Sequence, residues 1–208
     1  MLRRPSRRRL PLGRTPKARN RTSHQIRRKA DRLLPPELAD VDGNAEQRRG
    51  TVSVFNGPEP TVEVFATQDE EGAAVAQWLA KRRNEGVPAN EIALFVRSHA
   101  QLPRALRAAA AAGLEACQLD DRIEPRDGCI SVATLHLAKG LEFKAVAVMA
   151  CDDEIIPLQE RIDAVGDEAD LEDVFDTERH LLYVGCTRAR DHLLITGVDP
   201  ASEFLDDL

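Results

Sequence analysis

From residue 61 onward, apolar positions recur in blocks with two different periods. Residues 61–66 (TVEVFA) alternate apolar and polar, as a half-buried strand does. Residues 92–96 (IALFV) are apolar throughout, which predicts a strand covered on both faces. LEACQL (114–119), CISVATL (129–135), KAVAVMAC (144–151) and HLLITG (192–197) read as four more strands. Helical spacing fills the gaps. One helix opens at Asp69 or Glu70, runs through Trp78, Leu79 and Arg83, and closes at Gly86. An Ala-rich helix covers 100–112 and stops at Gly113, the residue type that best takes a helix C′ position. A long helix spans 168–188, with Leu171, Val174, Phe175, Leu181, Leu182 and Val184 as its inner stripe. Strands alternating with helices predict an α/β fold built on a mainly parallel, doubly wound sheet.

The chain before residue 61 is less regular. Residues 20–34 put Ile26, Ala30, Leu33 and Leu34 on one helical face, halted by Pro35 and Pro36. Residues 37–60 are polar and glycine-containing, with a short strand candidate at 51–55 (TVSVF). Residues 1–19 mix arginine with proline and glycine and show no apolar period, so they read as disordered.

Composition sharpens this division. At 208 residues and 42% hydrophobic content, the chain fits one domain plus a tail. No apolar run is long enough to span a bilayer, and no apolar core follows the basic N-terminus as in a secretory signal. These features predict a cytoplasmic protein with no membrane partner. The net charge of −6 conceals an asymmetry, because residues 1–32 hold 13 Lys and Arg against the single acid Asp31. The body is therefore strongly acidic, and any nucleic-acid contact has to come from local patches. The basic head is either such a patch or a disordered leader. Cys117, Cys129, Cys151 and Cys186 lie far apart in apolar surroundings without metal-ligand spacing, so they are expected as reduced core residues, and no metal site is expected.

Three stretches are candidates for chemistry. The first has a negative result: no G-x-x-x-x-G-K-[ST] occurs, and the dipeptide Gly-Lys is absent altogether. The chain thus has no P-loop to cradle phosphates. AVAVMACDDE (145–154) resembles a Walker B strand, but Asp152 and Asp153 are read as ordinary loop residues at a strand end. The second stretch is TLHLAKGLEF (134–143), where Thr134, His136, Lys139, Gly140 and Glu142 follow a strand. Ligands gather at the C-terminal ends of parallel strands, so this set suits phosphates and a ribose. It equally suits a solvated connector whose Leu135, Leu137 and Leu141 pack down. The third is TERHLLYVGCTRARDHLLIT (177–196), where Arg188 and Arg190 follow an apolar-striped helix. Arginine there supplies a planar fork for phosphate, or simply offsets the helix dipole.

Taken together, the second and third stretches resemble motifs V and VI of UvrD/Rep-like superfamily 1 DNA helicases, in the same order and at a similar separation. EIALFVRSHAQLPRALRAAAAAGLEA (91–116) is similar to the segment between motifs IV and V. RNRTSHQIRRKADRLL (19–34) resembles motif IV, with Asn20 where the family has an adenine-stacking tyrosine. The resemblance covers residues 19–208 and implies a second RecA-like motor domain, a mainly parallel sheet flanked by helices that lacks its own P-loop, after a basic leader at 1–18. It implies that Arg188 and Arg21 act on the γ-phosphate of ATP, that Glu142 contacts the ribose beside Gly140, and that Thr134 and His136 touch the DNA backbone. Arginines brought from a facing domain are worth roughly 10³–10⁵ in rate in related phosphoryl transfers. In the family, Mg-ATP sits in a cleft between two motor domains, of which this chain supplies one wall. The implied partners are single-stranded DNA, ATP and an N-terminal helicase domain in cis or trans. The implied activity is ATP-dependent, 3′–5′ DNA unwinding by the complete assembly, with the isolated chain inactive. The large DNA-engaging subdomain of the family is replaced by a short turn between LEACQL and CISVATL. The alternatives are a non-catalytic DNA-binding or assembly module and a truncated helicase remnant.

Overall fold

Strand β4 (Ile92–Val96) is buried at every position and lies in the middle of a six-stranded sheet. The other strands are β3 (Thr61–Phe65), β5 (Ala116–Gln118), β6 (Ile130–Thr134), β7 (Phe143–Val148) and β8 (Ala189–Val198). Their order is β3-β8-β7-β4-β6-β5, and every pairing is parallel. The computed structural model describes residues 22–34, 38–39, 45–46, 55–120 and 125–208. Two short strands, β1 (Leu38–Ala39) and β2 (Ala45–Glu46), pair antiparallel outside the main sheet. The leader at 1–18, Asn20, Arg21 and most of the strand candidate at 51–55 lie outside the described residues.

Alternation along β4 divides its side chains between two cores. Ala93 and Phe95 join a cluster with α1 (His24–Ala30) and α5 (Glu168–Thr187). Ile92, Leu94 and Val96 join one with α2 (Gln68–Asn84) and α3 (Leu102–Ala111). A short helix, α4 (Gln159–Asp163), precedes α5. The expected helices and strands are therefore present, with ends within a few residues of the pattern.

Local chemistry explains the ends. The Thr67 hydroxyl accepts from the Glu70 amide at 3.2 Å, and the Glu70 carboxylate accepts from the Ala66 amide at 3.1 Å, a reciprocal cap on α2. In α5, Asp167 accepts from the Asp170 amide at 2.9 Å. Gly113 ends α3 in the left-handed region at φ 69°.

The structure corrects one expectation and adds two features. Cys117 and Cys129 are joined as a disulfide across β5 and the start of β6, so only Cys151 and Cys186 are free thiols, both buried. Residues 199–208 pack back onto the fold. Ala201 bridges to Asp152, and Phe204, Leu205 and Leu208 are buried in the α5-side core. Finally, Glu178 lies wholly buried among the apolar residues of α5. Asp152 is a strand-end loop residue, as expected, and has a structural duty. Its carboxylate accepts from Arg104 at 2.6 Å, while Arg104 also donates to buried Glu71 at 2.6 Å. Glu71 in turn accepts from Thr196 and the Ala150 amide, tying α2 and α3 to the ends of β7 and β8. Every lone pair so engaged offsets the desolvation of a buried charge.

Candidate functional site

The stretch TLHLAKGLEF is a crossover from one edge of the sheet to the other. Thr134, the last residue of β6, pairs with Val96 at the C-terminal edge, whereas Phe143 opens β7 opposite Ala189 at the N-terminal edge. Between them, residues 135–138 form a 3-10 turn on the α5 side. Leu135 and Ala138 are buried there and Leu137 and Leu141 partly so, leaving His136, Lys139, Gly140 and Glu142 exposed. The leucines pack down and the polar groups face outward, as the connector reading expects. The expectation that this set gathers at one strand end is corrected, because the chain carries it to both edges.

At the C-terminal edge, Thr134, His136 and Leu137 line a cavity of about 420 Å³ with Arg97, Ser98, His99 and Asp120. Arg97 follows β4 and is 4% exposed, and its guanidinium donates twice to wholly buried Glu178, at 2.5 and 2.6 Å. Glu178 also accepts from Arg161 at 2.9 Å and from the Leu158 amide at 3.4 Å. Burial alone would raise the Glu178 pKa, but the bonds and charges of the two arginines outweigh it and hold the carboxyl below its ordinary value. The cluster carries one net positive charge beside the cavity. Desolvation, then the Arg97 charge, lowers the His136 pKa, which favours a neutral ring at neutral pH.

At the N-terminal edge, Arg188 caps α5. Its Nε donates to the Val184 carbonyl at 3.0 Å, Nη2 to Thr187 Oγ1 at 3.3 Å and Nη1 to the Leu141 carbonyl at 3.4 Å. Three of its five N–H donors are engaged by these bonds. The helix-end reading of Arg188 is realised, and the same bonds fasten it to the Gly140–Glu142 end of the crossover. Burial lowers the Arg188 pKa while the nearby Glu142 charge opposes this. Gly140 has φ 85°, a backbone that other residues rarely adopt. The backbone of Phe143 also donates to the Arg188 carbonyl at 3.0 Å, and the Thr22 hydroxyl donates to the Thr187 carbonyl at 3.0 Å. Arg21 itself lies outside the described residues. Among the described residues, no three His, Cys, Asp or Glu side chains gather as metal ligands.

Two separated stretches thus converge on α5, and comparison with known proteins identifies the domain that contains them. The profile of the UvrD-like helicase C-terminal domain matches residues 106–199. The ATP-dependent DNA helicase UvrD1 of Mycobacterium leprae is 33% identical over 156 residues, covering 69% of this chain. This chain carries a UvrD-like helicase C-terminal domain. The ATP-dependent DNA helicase PcrA of Leuconostoc citreum is 44% identical over 78 residues, or 38% of the chain. The chain spans only 17% and 9% of those two relatives' lengths. A solved C-terminal domain of a possible DNA helicase from a Lactobacillus (strain WCFS1) shares the fold, with TM-score 0.60, 24% identity, and 90% and 92% of the two chains covered. The fold is RecA-like: a six-stranded parallel sheet with helices on both faces.

Within this UvrD-like domain, the structure brings Gly140, Glu142 and Arg188 to one edge and Thr134 with His136 to a cavity at the other. Sequence reasoning missed Arg97, Glu178 and Arg161. The signal was present for Glu178. Glu178 stands four residues from both Val174 and Leu182, on the apolar face of α5, and a charge there requires a buried partner. Among the described residues, no helix is long and apolar enough to cross a membrane.

Proposed function

We propose that the chain works as the second motor domain of an ATP-dependent DNA helicase, with residues 19–208 forming the motor and 1–18 a basic leader. Arg188 and Arg21 act on the γ-phosphate of ATP held by a separate P-loop domain. Glu142 accepts from the ribose, and Gly140 permits that approach. Thr134 and neutral His136 contact the backbone of single-stranded DNA by hydrogen bonding. The observation that carries this reading is the crossover itself. One short segment joins a cavity at the C-terminal edge to the Arg188 end of α5 at the N-terminal edge, so a shift at either end is passed to the other. ATP brings its Mg²⁺ with it, and the chain's own contribution is the arginine fork and the ribose acceptor. The 3′–5′ direction rests on the family resemblance.

The test pairs this chain with the first motor domain of a matched relative. Alone, the chain is expected to hydrolyse no ATP. With the P-loop domain added, DNA-stimulated hydrolysis should appear, and Arg188→Ala should lower it by roughly 10³-fold or more, the scale of lost arginine fingers. Robust hydrolysis by the chain alone, or a full rate from the Arg188→Ala pair, would refute the assignment.

A further inference from the structure

The first half of α5 carries charge that the rest of the fold leaves unanswered. Residues 168–177 include Glu168, Asp170, Glu172, Asp173 and Asp176 but no Lys or Arg. The cap residue Asp167 and the first-turn acids Glu168 and Asp170 suit the positive end of the helix dipole. Glu172 and Asp176 lie beyond that turn. With Glu168 they form an exposed row of like charges at i, i+4 spacing, which opposes a helix instead of supporting it. Among the described residues, none of these three carboxylates has a hydrogen bond or an ion pair. Together with half-buried Leu171, Phe175 and Arg179, they line a groove of about 420 Å³. Arg179 is committed elsewhere, because its guanidinium stacks 4.3 Å from the Phe204 ring centre and pairs with Asp207. The groove therefore has an apolar strip beside an acidic one, and it lacks a cation.

We propose that this groove is the docking site of the chain's own basic segment, residues 1–18, which lies outside the described residues. Charge complementarity selects the occupant: the segment holds seven Lys and Arg and no acid, with Leu2, Leu10 and Leu12 among them. Its point of entry fits as well. The Thr22 hydroxyl donates to the Thr187 carbonyl, so the segment joins the described fold at the C-terminal end of α5. From Thr187 back to the groove, between Arg179 and Glu168, is roughly 12–29 Å at about 1.5 Å per helical residue. The 21 residues before Thr22 span up to about 70 Å when extended, so reach is not limiting. Spacing agrees too. Side chains two apart on an extended segment, such as Arg7 and Arg9, lie about 6.7 Å apart, against about 6 Å between carboxylates four apart on a helix. Running back toward Thr22, Leu10 and Leu12 then fall on the side of Phe175. Pro5 and Pro11 favour this extended course over a helix. The inference stands apart from the proposed motor function and requires no bound nucleotide or DNA.

The experiment uses the full chain with a nitroxide attached through Ser6→Cys. Cys151 and Cys186 are buried and Cys117 and Cys129 are bonded to each other, so the new thiol alone takes the label. Broadening of ¹⁵N amide signals by the nitroxide reports which residues the segment lies against. At low salt the amides of residues 168–176 are expected to broaden selectively, and to recover as salt approaches about 1 M, where charges are screened within about 3 Å. Glu172→Gln combined with Asp176→Asn, two exposed substitutions that leave the core untouched, should reduce that broadening at least twofold. Broadening that is absent from 168–176, centred elsewhere, or unchanged in the double variant would overturn the proposal. An equal mixture of labelled, isotope-free chain and unlabelled ¹⁵N chain separates the copies. Broadening that persists there at full strength would assign the groove to a second copy's segment and overturn docking within one chain. If 168–176 do not broaden but their signals shift when a relative's P-loop domain is added, the groove belongs to that domain, and the proposal fails.

Discussion

Glu178 is the buried charge on which the C-terminal cavity depends. It has no solvent contact, and its neighbours Arg97 and Arg161 supply the bonds that keep it ionised. Arg97, 4% exposed, has the same need in reverse: without the carboxylate it becomes an uncompensated buried cation. Glu178→Gln should therefore destabilise the chain by about 3–5 kcal/mol at neutral pH, measured by urea unfolding, the usual cost of removing one partner of a buried pair. The pH dependence has a definite sign. The folded carboxyl lies below its ordinary 4.5, so the unfolded state binds the proton more readily. The pair's contribution is then complete above 4.5 and is lost as pH falls through the lower folded value. The gap between wild type and Glu178→Gln should narrow over that acid window. A gap that is absent at neutral pH, or constant into strong acid, would show that the pair contributes nothing.

At the scale of elements, α5 and the 135–138 turn form the joint between the two edges. Gly185 lets them touch: a Cβ built there would lie 2.3 Å from Leu135 Cδ2, inside a closed core. Gly185→Ala should cost about 1–3 kcal/mol through overpacking, and Leu135→Ala about 2–5 kcal/mol through the cavity it leaves. In combination the new methyl enters the space the leucine vacates. The double variant should then be more stable than the sum of the two losses by roughly 1–2 kcal/mol, as read from thermal or urea melts. Simple additivity would mean the two elements are not in tight contact. The same joint shows what the sequence could and could not express. The strands, helix spans and packed leucines of the crossover follow from period and polarity, and these are local. That Gly140 and Glu142 sit at the opposite edge from Thr134 follows from strand order, which periodicity does not encode. Glu178 was legible as a misplaced charge, but its partner Arg97 stands 81 positions away and only the fold brings them together. The Cys117–Cys129 pairing was hidden for the same reason: two cysteines in apolar contexts look alike whether reduced or bonded.

Over the whole molecule, charge and geometry oppose each other. The cavity proposed to take a DNA backbone belongs to an acidic body, while the strongest positive charge is in residues 1–18, which hold seven Lys and Arg and no acid. Binding of single-stranded DNA by the full chain should thus have two components of different character. The basic segment contributes a salt-sensitive, sequence-independent attraction through counterion release. The cavity contributes hydrogen bonds from Thr134 and His136, which salt screens little. Removing residues 1–18 leaves every described element in place, because α1 begins at His24. The shortened chain should bind more weakly, with its log–log salt slope reduced by up to about 5, from about 0.7 per basic residue lost. What remains should still fall roughly tenfold when Thr134→Ala and His136→Ala are combined, the scale of two lost hydrogen bonds. If the residual binding ignores that pair of substitutions, the affinity belongs to the basic segment alone and the domain is a tethered electrostatic module. If it responds, the fold reads DNA at the edge to which the crossover delivers Thr134 and His136, and the basic segment serves only to raise the local concentration of the strand.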